Sequence, residues 1–297
     1  MKENNCRKPI ATGPQCIPCL VRAGVEMICR CLDCPQDSQK AIRRLLQLIS
    51  QSDFDLTPVE ISDDFNRMIR RESGVFDPYL EVKRERNQRA LRMLPAVRKR
   101  VEDCPDVLLG ALLAAAAGNI MDQVAGDPLK AEEALEDAFN TGFAVDSCNE
   151  FRQCLSKAQS VLYIGDNSGE IVFDRILAEQ IHRQGKNITF CVRGGPAVDD
   201  ALEEDWRTAG LSEFTSLVTT GSTALGCPQN RVGKEFHRAF EKADMIIAKG
   251  MGNYETLGHL EDPRLFLLLK AKCPAVADNL GVKVGHLCLY HALDHKQ

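Results

Sequence analysis

Three polar stretches carry side chains that could do chemistry together. The first is Gly165-Asp166-Asn167-Ser168-Gly169-Glu170. Asp166 and Asn167 offer two adjacent hard oxygen donors suited to a divalent cation, while Ser168 and Gly169 would bring backbone N–H groups and a helix N-terminus to an anion beside it. A turn with a helix cap uses the same residue types. The second stretch, Arg193-Gly194-Gly195-Pro196-Ala197-Val198-Asp199-Asp200, combines glycines for tight turning with a carboxylate, Asp199 or Asp200, that could complete a metal site. Helix capping is the other use of either aspartate. In the third, Lys249-Gly250-Met251-Gly252-Asn253-Tyr254-Glu255, a lysine ending a buried strand needs an anion, and the glycines admit a phosphate to the backbone. A salt bridge to a carboxylate would satisfy Lys249 equally well. Together the three specify a cation site beside an anion site, the apparatus for hydrolysing a phosphomonoester.

For these loops to meet, they must leave one edge of one sheet. After residue 160, β-rich runs at 161–164, 188–192, 216–219, 245–248 and 275–277 alternate with helical stretches at 170–184, 198–209, 230–242 and 254–270. Such alternation indicates parallel βαβ units with right-handed crossovers, and ligands of such sheets bind at the carboxyl ends of the strands. Up to about residue 157 the pattern is helical. Residues 39–50 place Ile42, Leu45, Leu46 and Ile49 at helical spacing; 78–100 is rich in helix formers, with Pro95 expected to interrupt it; 108–117 suits a buried helix; and 128–140 adds another. No segment there demands a strand. The expected architecture is of the α/β class: residues 158–297 form a Rossmann-like, three-layer α/β/α domain with a mainly parallel sheet, and residues 1–157 form a helical N-terminal subdomain packed against it without a linker.

Composition bounds the function. The 297 residues are 44% hydrophobic and 27% charged, enough to bury a core without disulfides or a structural metal. With 42 acidic against 37 basic residues the net charge is −5, which gives no general attraction to nucleic acid or anionic lipid. The longest nearly apolar run, 107–118, is short of the roughly 20 residues of a membrane span, and residues 1–10 lack a signal-peptide core, so the expected location is the cytoplasm. There the 13 cysteines are expected to be mainly packed thiols. Cys16-x-x-Cys19, followed by Cys29, Cys31 and Cys34, also raises zinc or redox chemistry, but residues 20–30 read as a helix rather than a zinc ribbon, and no βαβ pattern precedes the pair. The six histidines form no ligand pair, and no serine-hydrolase elbow or Walker loop is present.

In the three stretches above the sequence resembles the metal-dependent damage-control phosphatases, long catalogued as a domain of unknown function and overlapping the acidic-residue methyltransferase-like proteins. Asp77-Pro78-Tyr79 with Lys83 and Asn87, Gly118-Asn119-Ile120-Met121-Asp122, and Cys16-Ile17-Pro18-Cys19 extend the resemblance over about residues 15–290, the last of them pointing to the stand-alone, mostly prokaryotic and archaeal branch. The resemblance implies a phosphatase of small phosphorylated metabolites, such as sugar phosphates or damaged cofactor precursors, using Mn, Co, Ni or Mg. By position it makes Asp166, Asn167 and Asp200 metal ligands, with Asp199 standing where the family has Asn. Lys249 would hold the phosphate and help stabilise its negative oxygens. Ser168, Gly169, Arg193, Gly250, Asn253 and Asn119 would lie around it, and Asp166 or Glu170 would handle a proton or position the water.

Two other readings compete. The strand and glycine loop at 161–169 resemble the nucleotide site of an S-adenosylmethionine-dependent carboxyl methyltransferase, but Arg193 stands where such sites place an acidic residue for the ribose. A non-catalytic sensor of phosphometabolites or metals would have the same pocket without turnover.

Overall fold

The computed structural model describes residues 9–118 and 128–293. Three N-terminal helices come first, α1 (Ile17–Cys31), α2 (Pro35–Gln51) and α3 (Pro58–Ser73). Each buries one stripe: Leu20, Gly24, Met27 and Ile28 on α1 meet Ala41, Leu45 and Ile49 on α2 and Ile61, Phe65 and Ile69 on α3. Gly24 is required by the close crossing, since a Cβ there would lie 2.6 Å from Leu45 Cδ1. Helix α3 starts sharply because Pro58 sets its first turn and Thr57 with Glu60 forms a capping box; Gly74, at φ 71°, ends it.

Helix α4 (Leu80–Glu102) runs through Pro95 rather than breaking there. Its stripe of Ala90, Leu94, Val97 and Val101 continues on both sides of the proline and is buried in the main core, so packing outweighs one lost helical hydrogen bond. Helix α5 (Val107–Ala117) is buried almost all round, and Asp106 caps it by accepting from Leu109 N–H at 3.1 Å. Helix α6 (Pro128–Thr141) follows.

The remaining elements are β1 (Phe143–Asp146), α7 (Cys148–Lys157), β2 (Ser160–Ile164), α8 (Glu170–Arg183), β3 (Asn187–Val192), α9 (Glu203–Thr208), β4 (Ser216–Thr219), α10 (Lys234–Lys242), β5 (Met245–Lys249), α11 (Gly250–Leu257), β6 (Leu265–Lys270), α12 (Pro274–Leu280) and β7 (Leu287–His291). One seven-stranded sheet has the order β1-β7-β6-β5-β2-β3-β4. Strands β2 to β6 are mutually parallel; β7 runs antiparallel to β6, and β1 runs parallel to β7. Alternate residues face opposite layers: Val161, Tyr163, Ile247 and Phe266 join the core under α4, α5 and α8, while Leu162, Ile164, Ile246 and Leu267 join the core with α10, α11 and α12. The fold is therefore the three-layer α/β/α expected. Strand β1 arises ahead of residue 157, so the sheet draws on both halves of the chain.

Besides the unbroken α4, four expectations need correction. Residues 143–146 form a strand in a half read as helical, short enough to be stabilised only by the sheet edge. The expected helix over 254–270 is α11 followed by β6: Gly258 and Pro263 break it, and the Leu-rich run beyond is buried on both sheet faces, a case periodicity cannot separate from a buried helix. Residues 275–277 lie in α12, which Pro274 opens, and the strand that follows it is instead β7, seated between β1 and β6. The helix expected over 198–209 is confined to α9. The order of strands reverses direction between β2 and β5, and the crevice outside their carboxyl ends is where a ligand is expected in such a sheet.

Candidate active site

The chain leaving β3 folds back onto the chain leaving β2. Arg193 N–H donates to Ala201 O at 3.0 Å, Ala201 N–H to Asp166 O at 2.8 Å and Ser168 N–H to Asp199 O at 2.9 Å, and Asn167 and Asp200 form an isolated antiparallel bridge. This lacing sets Asp166, Asn167 and Asp200 side by side, each less than a tenth exposed. Asn167 Nδ2 donates to Asp166 Oδ2 at 3.1 Å. Behind them Arg193 donates through Nε to Asp200 Oδ2 at 2.5 Å and through Nη1 to Gly226 O at 2.6 Å, and its Nη2 stands 3.7 Å from Asp166 Oδ1. The third loop closes in at Gly250: its φ of 77° favours glycine, and a Cβ would fall 1.8 Å from Asp166 Oδ2. Burial, then the neighbouring Asp200 and Glu170, push the Asp166 carboxyl well above the ordinary carboxylate range.

These residues open on a cavity of about 250 Å³ that also takes in Asp199, Glu255 and Lys272, with Val59, Val198 and Met251 among its apolar walls. Val198 adopts φ 50°, the sole positive φ among described residues other than glycine, so the loop holds a strained backbone at the cavity wall. Asp199 is ion-paired with Arg86 of α4. Glu255, on α11, accepts from Val59 N–H, and burial pushes its carboxyl up to about 7.

Other residues singled out in the sequence are placed elsewhere. Lys249 is fully buried: its ammonium donates to Ala115 O at 2.9 Å, to Asp174 Oδ1 at 2.6 Å and to Glu170. Burial lowers its pKa, but the two carboxylates more than reverse this, leaving it above the usual lysine value. Glu170 therefore sits in a buried ion cluster, completed by Tyr163 OH donating to Asp174 at 2.8 Å, between the sheet and helices α5 and α8. The salt bridge that the sequence allowed for Lys249 is the arrangement found, with Glu170 and Asp174 as its partners. The amides expected to face an anion are committed within the fold: Ser168 N–H to Asp199, and Gly169 N–H to Asn87 Oδ1 at 2.7 Å. Asn87 in turn donates to Asp205 at 2.5 Å. Asn253 Nδ2 donates to Lys249 O at 2.7 Å and Gly165 O at 3.3 Å, tying the end of β5 to the end of β2. Asn119 lies outside the described residues.

The sequence reading missed Lys272, the cation on the cavity wall, because β6, whose carboxyl end it follows, was read as the end of a helix and residue 272 therefore marked no strand-end loop. Glu255 was within the quoted third stretch, and only its burial sets it apart. In the cysteine cluster, α1 begins directly after Cys16, and Cys16, Cys19, Cys29, Cys31 and Cys34 are free thiols. Among the described residues no three His, Cys, Asp or Glu side chains gather as a metal-ligand group.

Residues 12–288 match the family model described as the damage-control phosphatase ARMT1-like domain. The chain belongs to that family. Its relatives include an uncharacterized protein of Methanocaldococcus jannaschii, 34% identical over 281 residues that span 92% of each chain. A damage-control phosphatase of Pyrococcus horikoshii is 39% identical over 217 residues, 72% of this chain and 74% of that one. Another, from Archaeoglobus fulgidus, is 36% identical over 219 residues, 72% and 75% of the two chains. A crystal structure of a DUF89 family protein from P. horikoshii superposes with a TM-score of 0.88 at 30% identity, covering 95% of this chain and 99% of that one. Membership in the damage-control phosphatase family supports a phosphatase role. Among the described residues no helix is long and apolar enough to cross a membrane.

Proposed function

We propose that this chain is a metal-dependent phosphomonoesterase acting in the cytoplasm on small phosphorylated metabolites, sugar phosphates or damaged cofactor precursors. One observation carries the reading: the bridge between Asn167 and Asp200 gathers two buried carboxylates and an amide at the carboxyl edge of the sheet, in a cavity of metabolite size that also holds a lysine. Asp166, Asn167 and Asp200 are the ligand set, with Asp200 favoured over Asp199 because Asp200 bridges Asn167 and faces Asp166, whereas Asp199 pairs with Arg86. Their donors are hard oxygens, which suit Mn, Co, Ni or Mg, and two desolvated carboxylates side by side call for more positive charge than Arg193 supplies. A divalent ion there supplies Lewis-acid polarisation of a phosphoryl oxygen and a more acidic water.

The chain's own residues do the rest. Lys272 meets the charge of the phosphate from the cavity wall, the place the sequence reading gave to Lys249. Arg193 fixes the orientation of Asp200 and Asp166, and Gly250 leaves room for Asp166 Oδ2. Lys249, Glu170 and Asp174 anchor β5 to α8 beneath the site.

The test is to strip the protein with chelator, restore Mn, Co, Ni or Mg singly, and follow phosphate release from a panel of sugar phosphates and p-nitrophenyl phosphate. Asp166→Ala and Asp200→Ala should lose both metal binding and turnover. Turnover that survives chelation, or persists in both variants, refutes the reading.

A further inference from the structure

We infer that Glu255 is the proton donor to the leaving oxygen of the phosphate ester, an inference that rests on the phosphatase reading above. Glu255 shares the cavity with Asp166, Asn167, Asp200 and Lys272 yet is only 7% exposed. Val59 N–H donates to its carboxyl and fixes its orientation, while Oε2 has no hydrogen-bond partner among the described residues. A desolvated carboxylate with one oxygen unmatched is costly, so burial shifts the balance toward the neutral acid, whose proton a bound ester can accept. The other acids nearby have other roles: Glu170 and Asp174 pair with Lys249, Asp199 pairs with Arg86, and Asp166 and Asp200, backed by Arg193, form the ligand set of the reading above. Burial that raises its carboxyl to about 7 agrees with this geometry.

The step balances as follows. The oxygen of a water bonds to phosphorus as the ester P–O bond breaks, and the electron pair of that bond stays on the leaving oxygen. The leaving oxygen takes the proton of Glu255 and departs as a neutral alcohol. Of the two protons the water brought, one remains on the new phosphate hydroxyl, and the other passes to solvent, from which Glu255 regains its own.

A donor of this kind matters for an alkoxide and hardly at all for a nitrophenolate, which leaves without protonation. Metal-reconstituted wild type and Glu255→Gln are therefore compared on glycerol phosphate and p-nitrophenyl phosphate. The variant should lose about 10²- to 10⁴-fold in kcat on the alkyl ester and less than about tenfold on the aryl ester. Equal losses on both, or none on the alkyl ester, overturn the assignment and leave the phosphatase reading standing. A wild type inert on both esters with every metal overturns the reading and this inference with it. If the variant does not fold, the wild type alone decides: across a series of alkyl and aryl phosphates its rate should depend only weakly on leaving-group acidity, and a steep dependence overturns the assignment.

Discussion

Replacing Glu255 by glutamine should make the metal-free protein more stable above neutrality and leave it little changed in mild acid. In the folded chain burial raises the carboxyl from 4.5 to about 7, so between those values the folded state keeps a proton that the unfolded chain has released. Protonation therefore favours folding in that window, and its contribution is lost as pH rises through about 7. Integrated from pH 5 to pH 8, this amounts to about 2.5 kcal/mol. For a chain of this length the corresponding shift in melting temperature is roughly 4 °C. Glutamine carries no such proton and keeps an acceptor for Val59 N–H. The groups facing Glu255, namely the thiols of Cys16 and Cys273 and, around the cavity, Asp166, Asp199, Asp200 and Lys272, are present in both proteins and largely cancel in the difference. Melting followed by near-ultraviolet circular dichroism in chelator, from pH 5 to pH 8, should show the variant's advantage growing with pH. Melting temperatures that run parallel across the range refute the burial reasoning.

Lys249→Met should cost about 3–5 kcal/mol in urea unfolding, because it leaves Glu170 and Asp174 buried without their cation. Unchanged stability with a raised KM for phosphate esters would return Lys249 to the phosphate. Gly250→Ala should lower Mn affinity by about 10- to 100-fold in calorimetric titration, since the added Cβ meets Asp166 Oδ2 at 1.8 Å in a backbone held at φ 77°. An unaltered Mn Kd would show that this loop does not shape the ligand set.

How legible the molecule is from its sequence depends on what each residue is asked to reveal. Strands β2, β3, β4 and β5 could be read because short apolar runs stand between turn residues and helical stretches, and the rule that ligands gather at strand carboxyl ends then set Asp166 and Asn167 beside Asp199 or Asp200, a choice that only the family resemblance narrowed to Asp200. Strand β6 could not, since Leu265–Lys270 is rich in good helix formers and its strand character comes from pairing with β5 and β7. Losing that strand hid Lys272. Lys249 shows a different limit. Its need for an anion was readable, but whether phosphate or carboxylate supplies it depends on α8, whose Glu170 and Asp174 meet the ammonium through tertiary packing. Glu255 is ordinary as a letter and becomes unusual only once Val59 and the cavity walls remove it from water.

The lacing between the chain segments beyond β2 and β3 also settles a question that hydrophobicity leaves open. Alternation of inward and outward residues forbids sliding β3 past β2 by one position but tolerates sliding by two, which keeps every side chain on its own face. Such a slip would carry Asp200 about 7 Å along the strand axis and pull it away from Asn167. The contacts from Arg193, Ala201 and Ser168 exist only in the native alignment, so they act as a key that admits a single setting of the two strands. Catalytic competence thus doubles as a report on alignment: refolded material that is out of step would retain the native content of helix and sheet, and its defect would surface only as missing turnover.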